Sequence, residues 1–279
     1  MSLTSNFGVD FAFIDSGTGG IPYLVRLKEL CPKAKCVYIG DTKNFPYGEK
    51  THEEVIDCVL SLVKNVKEKC NPHVIVMACN TMSVNALDEV RKANPDIKFV
   101  GTVPAIKLAS SVSKKRRIGL LATNSTIKNP YNIELKNAFA FDCTLVSRGD
   151  PELISYVEHK YFTATKEETK NAVKPAVDFF RENNCDVIIL GCTHFLNMAS
   201  EIQEVAGKDI KVVDSREGVV KHALEVAGFT RQGEFIDDSY KEKSEAKDLL
   251  YITGFSDKDD ENEYNVITSK YNLLFSGKL

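Results

Sequence analysis

The stretch Asn71-Pro-His-Val-Ile-Val-Met-Ala-Cys-Asn-Thr81 is echoed later in the chain by Asn184-Cys-Asp-Val-Ile-Ile-Leu-Gly-Cys-Thr-His194. Each stretch consists of an apolar run, a small residue, a cysteine and a polar pair, and a helix-like segment follows it. Apolar Val- and Ile-rich runs that alternate with helical patterns are typical of parallel strands in α/β proteins. The echo therefore predicts an α/β fold built from two similar halves.

A weaker echo relates the earlier parts of the two halves. The segment FIDSGT (13–18) is similar to LLATNST (120–126), and both read as a strand followed by a turn. Repeats with a short period of 20–50 residues, which mark solenoid proteins, are absent from the sequence. Two facing α/β domains are thus favoured over a repeat array.

Apolar runs and amphipathic segments alternate through most of the chain, as they do in proteins with mainly parallel sheets. The clearest helix follows Thr51, which forms a capping box with Glu54, and its apolar residues recur at i, i+3, i+4 and i+7. Further helices are predicted near 22–30, 82–93, 167–182 and 217–227. Strands are predicted at 9–14, 36–39, 74–78, 98–102, 118–121, 144–146, 187–190, 212–213 and 249–252.

The second half begins near residue 102 and ends near residue 213, which makes the first domain discontinuous. We expect residues 1–102 and 214–279 to form the first α/β domain and residues 103–213 to form the second. The strand that begins near Leu249 would return to complete the first domain. The acidic stretch DKDDENE (257–263) is expected to be a solvated loop.

The composition is that of an ordinary globular protein. The chain has 279 residues, of which 43% are hydrophobic and 27% charged, and its formal net charge is −3. Such a charge argues against nucleic-acid binding by broad electrostatics, and the basic run KKRR (114–117) reads as a solvated loop. No apolar stretch approaches the ~20 residues that cross a bilayer, and residues 1–6 lack signal-peptide features. We therefore expect a cytoplasmic protein with no membrane or nucleic-acid partner.

Eight cysteines in a chain without an export signal predict reduced thiols. The nearest approach to a zinc-site spacing, Cys31 with Cys36, is too loose. Cys79 and Cys192 each lie at the carboxyl end of a predicted strand and at the start of a helix, where the macrodipole favours a thiolate. Either cysteine alone is more often a small buried residue. The matched pair with polar neighbours favours a chemical role.

Other candidate residues also follow predicted strands, where ligands collect in parallel sheets. The motif Asp15-Ser-Gly-Thr-Gly-Gly20 reads as a glycine-rich anion cradle, although it is neither a Walker loop nor a dinucleotide fingerprint. The segment DTKNFPYG (41–48) is either a binding loop or a plain connection. Thr123 and Thr126 either offer hydroxyls to a ligand or cap a helix. His194, beside the second thiol, is placed to hold or hand over its proton.

Four motifs occur in order: Asp15-Ser16-Gly-Thr-Gly-Gly20, Asp41 with Pro46-Tyr47-Gly48, Ala78-Cys79-Asn80-Thr81 and Gly191-Cys192-Thr193-His194. Together they closely resemble the aspartate/glutamate racemase family, and within it the glutamate racemases, over roughly residues 9–228. The resemblance implies two pseudo-symmetric α/β domains with mainly parallel sheets and an active site in the cleft between them. It also implies cofactor-independent racemisation of L-glutamate to D-glutamate, which supplies peptidoglycan synthesis, with neither pyridoxal phosphate nor a metal.

The resemblance further implies a role for each matching residue. The catalytic set is Cys79 and Cys192 as the two acid/base thiols, assisted by Asp15, Glu158 and His194. The residues expected to hold the amino acid are Asp15, Ser16, Pro46, Tyr47, Gly48, Asn80, Thr81, Thr123, Thr126, Thr193 and His194. Glutamate is the implied small-molecule partner, and a homodimer is a further possibility.

Two segments depart from the family pattern. Phe195-Leu196-Asn197-Met198 stands where an aromatic residue and a proline commonly follow the second cysteine motif. The segment Ser147-Arg148-Gly149-Asp150, which precedes Glu158, is also unusual. The changes are expected at the pocket rim or at a partner surface, because they leave the chemical residues intact.

Three alternatives to glutamate racemisation remain open at the level of sequence. One is an aspartate racemase or another carboxylate isomerase, which a preference for shorter or hydroxylated substrates would reveal. A second is a thiol hydrolase that uses Cys192 and His194 alone and forms an acyl-thiol adduct. The third is a two-domain amino-acid sensor, which would bind glutamate without exchanging its α-proton.

Overall fold

The chain folds into two compact units, each with its own parallel sheet. The computed structural model describes residues 8–230, 247–255 and 258–279. Contacts divide the chain into Met1–Thr102 with Arg216–Leu279, the first unit, and Val103–Ser215, the second unit. No helix within the described ranges is long and apolar enough to cross a bilayer.

Strands and helices alternate along the chain. The strands are β1 (Val9–Asp15), β2 (Cys36–Gly40), β3 (Pro72–Met77), β4 (Lys98–Gly101), β5 (Arg117–Ala122), β6 (Thr144–Gly149), β7 (Val187–Leu190), β8 (Lys211–Val213), β9 (Leu249–Ile252) and β10 (Leu274–Lys278). The α-helices are α1 (Ile21–Leu30), α2 (His52–Cys70), α3 (Asn80–Ala93), α4 (Ile106–Val112), α5 (Asn124–Lys128), α6 (Tyr131–Phe139), α7 (Pro151–Tyr156), α8 (Lys166–Glu182), α9 (Ala199–Ala206), α10 (Arg216–Ala227) and α11 (Lys258–Lys270). Short 3₁₀ turns lie at Thr42–Asn44, Tyr47–Glu49 and Thr193–Met198, and a π-helical turn lies at Val157–Tyr161.

The first unit is a six-stranded sheet in the order β10-β9-β2-β1-β3-β4, and all neighbouring strands are parallel. Every residue of the central strand β1 is buried, as expected for a parallel sheet whose two faces are both covered. Helix α2 shows how the sequence encodes a helix that packs on this sheet. Thr51 and Glu54 form the capping box at its start, and an apolar stripe that includes Val55, Val59 and Leu62 lies in the core.

The second unit is a four-stranded parallel sheet in the order β6-β5-β7-β8. This order repeats the order β2-β1-β3-β4 of the first unit. In both sheets the chain first adds a strand on one side of the opening strand and then crosses to its other side. The switch points therefore lie between β1 and β3 and between β5 and β7, where parallel α/β sheets place their ligand sites.

Backbone register makes the correspondence residue-specific. The N–H of Ala78 donates to the carbonyl oxygen of Ile14 at 2.8 Å, and the N–H of Gly191 donates to that of Leu121 at 2.7 Å. Counting one residue further along each strand pair makes Cys79 equivalent to Cys192. It is the register, rather than sequence similarity alone, that places the two thiols at the same position in the two units.

A second equivalence lies at the ends of β2 and β6. Gly40 pairs with the last residue of β1, and Gly149 pairs with the last residue of β5. A Cβ at Gly40 would clash with the backbone of Gly17, so this position requires glycine, whereas one at Gly149 would require the Asn124 side chain to move. Each glycine is followed by an aspartate, Asp41 or Asp150, so the atypical segment at 147–150 is the counterpart of the end of β2.

The structure confirms the predicted alternation and the nine predicted strands, with ends that shift by up to three residues. The helix predicted to start at Cys192 begins only at Ala199 as α9, because a 3₁₀ turn occupies Thr193–Met198. The structure also contains elements that the sequence pattern did not indicate, namely α4, α5, α6, α7, α11 and β10. Most of these helices are short, and strand β10 lies at the sheet edge with a partly polar sequence. The periodicity of apolar residues is weak in such elements because few of their side chains enter a core.

The expectation of a loop at 257–263 is wrong for the described part of that stretch. Residues from Lys258 onward belong to α11, and residue 257 lies outside the described residues. The high charge of the acidic run favours a solvated loop when the sequence is considered alone. Acidic residues are nonetheless favoured in the first turn of a helix, where they complement the macrodipole.

Candidate active site

Cys79 is positioned by the junction between β3 and α3. It follows the strand by two residues and is the N-cap of the helix, with extended backbone dihedral angles. The N–H of Met82 donates to the Cys79 sulfur at 3.5 Å, and the thiol lies 3.9 Å from the hydroxyl oxygen of Ser16. A sulfur that caps a 14-residue helix lies in the positive field of the helix N-terminus, which favours the thiolate.

The neighbouring carboxylate of Asp15 ends β1 and has no solvent exposure. One of its oxygens accepts from the N–H of Ser16 at 2.7 Å, and the other accepts from the N–H of Gly20 at 2.6 Å and from the hydroxyl of Tyr38 at 3.0 Å. The glycine-rich turn therefore does cradle an anion, but in this structure that anion is the side chain of Asp15. These donors stabilise the charged carboxylate in a buried environment.

The Pro46-Tyr47-Gly48 turn is tied to Asp41. The hydroxyl of Tyr47 donates to Asp41 at 2.5 Å, and the hydroxyl of Thr253, from the end of β9, donates to the other oxygen at 2.7 Å. The N–H of Asp41 in turn donates to the carbonyl oxygen of Asp15 at 2.7 Å. Burial and the nearby Asp41 charge raise the pKa of Tyr47, so its hydroxyl remains a donor. This hydrogen bonding fixes the turn against the end of β1.

Asn80 and Thr81 form the first turn of α3 beside Cys79, and both are buried. The side chain of Asn80 is only 2% exposed, yet neither its oxygen nor its nitrogen has a hydrogen-bond partner among the described residues. Leaving a buried polar group unpaired costs roughly 1–3 kcal/mol. A ligand that pairs with both ends of the amide would remove this cost.

The second unit carries Cys192 in the equivalent position after β7. Its sulfur lies 3.5 Å from Nδ1 of His194, and Nε2 of the same ring lies 2.5 Å from a carboxylate oxygen of Glu158. The side chains of Cys192 and His194 are buried, and that of Glu158 is 9% exposed. The structure thus brings the carboxylate of Glu158 to the adjacent thiol and histidine, which lie 34 and 36 residues further along the chain.

The electrostatics of this cluster follow from its neighbours. Burial alone lowers the pKa of His194, but the negative charges of Cys192 and Glu158 and their hydrogen bonds outweigh it and raise that pKa well above the ordinary value. The raised pKa favours the protonated imidazole, which lies between the sulfur and the carboxylate. The cluster can therefore hold a proton between the thiol and the ring.

Glu158 is supplied by the π-helical turn Val157–Tyr161, which continues α7. Helix α7 begins at Asp150, whose carboxylate accepts from the N–H of Leu153 at 3.1 Å. Arg148 pairs with the same carboxylate at 3.0 Å. π-helical turns inside α-helices occur often at functional sites. The unusual segment at 147–150 therefore starts the helix that delivers Glu158.

The candidate threonines have different local roles. Thr123 follows β5 and is the N-cap of α5, where its hydroxyl oxygen accepts from the N–H of Thr126 at 3.0 Å and lies 3.0 Å from the Thr126 hydroxyl. The helix-capping alternative is therefore realised for Thr123. Thr193 is buried in the 3₁₀ turn between Cys192 and His194. By strand register, Thr123 is the counterpart of Ser16, since each lies two residues past equivalent positions of β5 and β1.

Several contributors were missed by sequence reasoning. Tyr38 reads as an ordinary core residue of β2, yet its hydroxyl reaches Asp15. Thr253 approaches Asp41 from 212 residues away. No local pattern signals either contact, because both depend on the order of strands in the sheet. The Gly-Asp pair that occurs at 40–41 and again at 149–150 is the sequence feature that indicates the correspondence between the ends of β2 and β6.

Each of the two α/β units thus carries a buried thiol at the switch point of its parallel sheet, with ionisable side chains nearby. The Asp/Glu/hydantoin racemase family model matches residues 23–223. The chain is 40% identical over 214 residues to the glutamate racemase of Treponema pallidum, covering 77% of this chain and 80% of that protein. It is 37% identical over 226 residues to that of Shewanella sp. strain MR-7, covering 80% and 81%.

Among solved structures, Escherichia coli glutamate racemase in complex with L-glutamate and the activator UDP-MurNAc-ala matches with a TM-score of 0.82. That match has 27% sequence identity and covers 97% of this chain and 98% of the other. The chain belongs to the Asp/Glu/hydantoin racemase family.

Proposed function

We propose that this protein interconverts L-glutamate and D-glutamate, with Cys79 and Cys192 as the two acid/base groups. The family relationship and the relatives named above support the reaction and its substrate. The observation that carries the assignment of the thiols is their equivalence: both follow the third strand of the same sheet topology at the same register.

Inversion at an α-carbon needs one group to remove the proton from one face and another to return a proton to the opposite face. In one direction Cys79 begins as thiolate and Cys192 as thiol. The thiolate takes the α-proton, the electron pair stays on carbon as a carbanion, and the second thiol donates its proton to that carbon. The two cysteines end with their protonation states exchanged, so a D-to-L turnover restores them.

The α-proton is weakly acidic, and the carbanion therefore needs hydrogen-bond donors. The unpaired amide of Asn80 and the buried hydroxyls of Thr81 and Thr193 are the donors proposed for the α-carboxylate. Loss of one such donor costs on the order of 3 kcal/mol in comparable sites. Asp15 and the His194–Glu158 pair assist the neighbouring thiols by holding or accepting protons.

The rest of the amino acid is assigned to groups at the strand ends. Ser16, Pro46, Tyr47 and Gly48 are the proposed partners in the first unit. The Tyr47 turn suits this role because Asp41 holds it in place before any ligand arrives. Thr123 and Thr126 are the proposed partners in the second unit. Asp15 and His194 complete the proposed binding set.

The direct test incubates the purified protein with either enantiomer in D₂O. Circular dichroism follows inversion, and proton NMR follows loss of the α-proton signal. We expect both enantiomers to reach the racemic mixture with incorporation of solvent deuterium. A protein that binds glutamate without exchanging its α-proton would contradict the proposal and favour the sensor alternative. A covalent acyl-thiol adduct at Cys192 would favour the hydrolase.

Substrate choice needs a separate measurement, since an aspartate racemase would use the same thiols. Aspartate and a hydroxylated glutamate analogue are compared with glutamate by their kcat/KM values in the same exchange assay. We expect glutamate to be preferred. Faster turnover of the shorter substrate would reassign the enzyme within its family.

Three broader proposals accompany the reaction. The two units are the proposed domains of the enzyme, and D-glutamate is its proposed contribution to peptidoglycan synthesis. A cytoplasmic location fits the eight free thiols. The homodimer stays a prediction, which sedimentation velocity tests.

A further inference from the structure

The Glu158–His194 pair has a second contact directly beside it. Glu158 and Tyr161 lie on the π-helical turn, and His194 and Asn197 lie on the 3₁₀ turn, in each case three residues apart. The hydroxyl of Tyr161 donates to the carbonyl oxygen of Asn197 at 2.6 Å. The side-chain amide of Asn197 donates to the carbonyl oxygen of His194 at 3.1 Å. The two turns are thus joined at two points.

Two points of attachment constrain the turns more than one does. With the Glu158 contact alone, the 3₁₀ turn that carries His194 would be joined to the π-helical turn by one side-chain contact. The Tyr161 contact fixes the end of the 3₁₀ turn that carries Asn197. The side-chain amide of Asn197 donates to the carbonyl oxygen of His194 and so restrains the backbone of His194. Proton transfer depends steeply on the separation and alignment of the reacting groups. Small movements of this ring would therefore change the Cys192 reaction.

We propose that Tyr161 and Asn197 are positioning residues, which hold His194 between Glu158 and Cys192 and so set how readily Cys192 exchanges a proton. This inference rests on the proposed function of Cys192 as an acid/base thiol. Asn197 lies in the segment 195–198, which departs from the family pattern. Tyr161 supplies the partner for that segment from the other turn.

The environment of Tyr161 suits a permanent donor. Burial raises the pKa of its phenol, so the hydroxyl keeps its proton across the neutral range. Its ring packs edge-on against Phe162 with centroids 5.1 Å apart. Tyr161→Phe therefore keeps the ring packing and removes only the hydroxyl that reaches the 3₁₀ turn.

Tyr156 provides a matched control from the same helical segment. It ends α7, and its hydroxyl lies 3.1 Å from the hydroxyl of Thr169 in α8. Tyr156→Phe likewise removes a partly buried tyrosine hydroxyl and its hydrogen bond, in this case to a side-chain hydroxyl. It leaves the contact between the π-helical turn and the 3₁₀ turn in place.

The test measures kcat, KM and the α-deuterium isotope effect on kcat/KM for each enantiomer. Tyr161→Phe is expected to lower kcat roughly three- to tenfold, the effect of one hydrogen bond, with little change in KM. A slower transfer at Cys192 makes that transfer more rate-limiting. The isotope effect should therefore rise for the enantiomer whose proton Cys192 removes and fall for the one whose proton Cys79 removes.

Asn197→Ala should change the two isotope effects in the same sense, and Tyr156→Phe should leave both at their original values. Thermal melting of each variant checks folding, and Asn197→Ala keeps the test decisive if Tyr161→Phe is unstable. Equal loss of rate in Tyr161→Phe and Tyr156→Phe, or an unchanged ratio of isotope effects, would overturn the positioning role. Absence of α-proton exchange in the unsubstituted enzyme would instead refute the proposed function.

Discussion

The two cysteines occupy one backbone position in two copies of a sheet, but their surroundings differ. Cys79 caps a 14-residue α-helix and accepts a backbone N–H. Cys192 precedes a six-residue 3₁₀ turn, makes no capping hydrogen bond, and contacts an imidazole that a carboxylate supports. One sulfur lies beside the peptide dipoles of a helix N-terminus, and the other lies beside a histidine ring. A repeated fold thus supplies equivalent positions without supplying equivalent chemistry.

The first strands of the two units, β1 and β5, also occupy equivalent positions but carry different side chains. Asp15 ends β1, and by register its counterpart at the end of β5 is Ala122. The first unit therefore places a carboxylate on the strand itself. The second unit brings its carboxylate, Glu158, from a helix that follows the next strand. Substitutions in one unit are therefore expected to impair one of the two proton transfers. Variants of each unit test this expectation.

The largest effect is expected from removing either thiol. Cys79→Ala and Cys192→Ala should each lower the rate of inversion by about 10²- to 10⁴-fold, the usual contribution of a general acid or base. Each variant retains one thiol, so residual α-proton exchange in D₂O should favour one enantiomer, and the two variants should favour opposite enantiomers. Proton NMR of each enantiomer measures this directly.

Two cysteines at the opposite ends of the same strands serve as controls. Cys70 precedes β3 and Cys185 precedes β7 by two residues, and burial raises the pKa of each to about 11. Cys70→Ala and Cys185→Ala should keep normal turnover. Similar losses in all four variants would show that thiol packing, rather than proton transfer, accounts for the effect.

A smaller effect is expected from His194→Gln, because it removes the ring and leaves the thiol. Charge-assisted hydrogen bonds contribute about 1.5–3 kcal/mol, so kcat should fall roughly 10- to 100-fold. The isotope effects should diverge between enantiomers, as they should for Tyr161→Phe. His222→Gln, on the exposed face of α10, is the control. An unchanged kcat for His194→Gln would show that proton transfer by the two thiols does not depend on their side-chain neighbours.

Asn80→Ala tests the unpaired amide of the first unit. Removal of a buried group without partners should not lower the melting temperature of the ligand-free protein, because the substitution also removes a desolvation penalty. Loss of this proposed donor should lower kcat/KM by about two orders of magnitude, which corresponds to the ~3 kcal/mol given above, and should reduce the stabilisation that added glutamate provides. A variant that loses ligand-free stability but binds glutamate normally would show that the amide serves the fold.

The smallest effect concerns the pH dependence of stability. The folded-state pKa of His194 lies above the ~6.5 of an unfolded histidine. Its contribution is therefore fully present below about pH 6.5 and is lost as the pH rises through the folded-state value. Urea midpoints of the native chain and His194→Gln, measured from pH 6 to pH 10, should converge with rising pH. A difference that grows with pH would contradict the charged state of the ring.

Local sequence predicted those parts of the molecule that depend on short stretches of chain. The strand, turn and helix around Cys79 and around Cys192 follow from apolar runs and capping residues within about 20 positions. The contacts of Tyr38, Thr253 and Tyr161 could not be predicted in this way. They depend on which strands are neighbours and on how a π-helical turn redirects its side chains. Charge alone also misassigned the start of α11.

The pairing of β2 with β9 has a consequence for the order in which the protein folds during synthesis. Hydrogen bonds such as that from the Cys36 N–H to Asp248 close a loop of 212 residues, whereas all strands of the second unit lie within one continuous segment. Ribosomes deliver chain from the N-terminus, and distant pairings form late. The second unit can therefore finish its sheet while β2 is still an open edge. Until β9 emerges, that edge is open to pairing with another polypeptide.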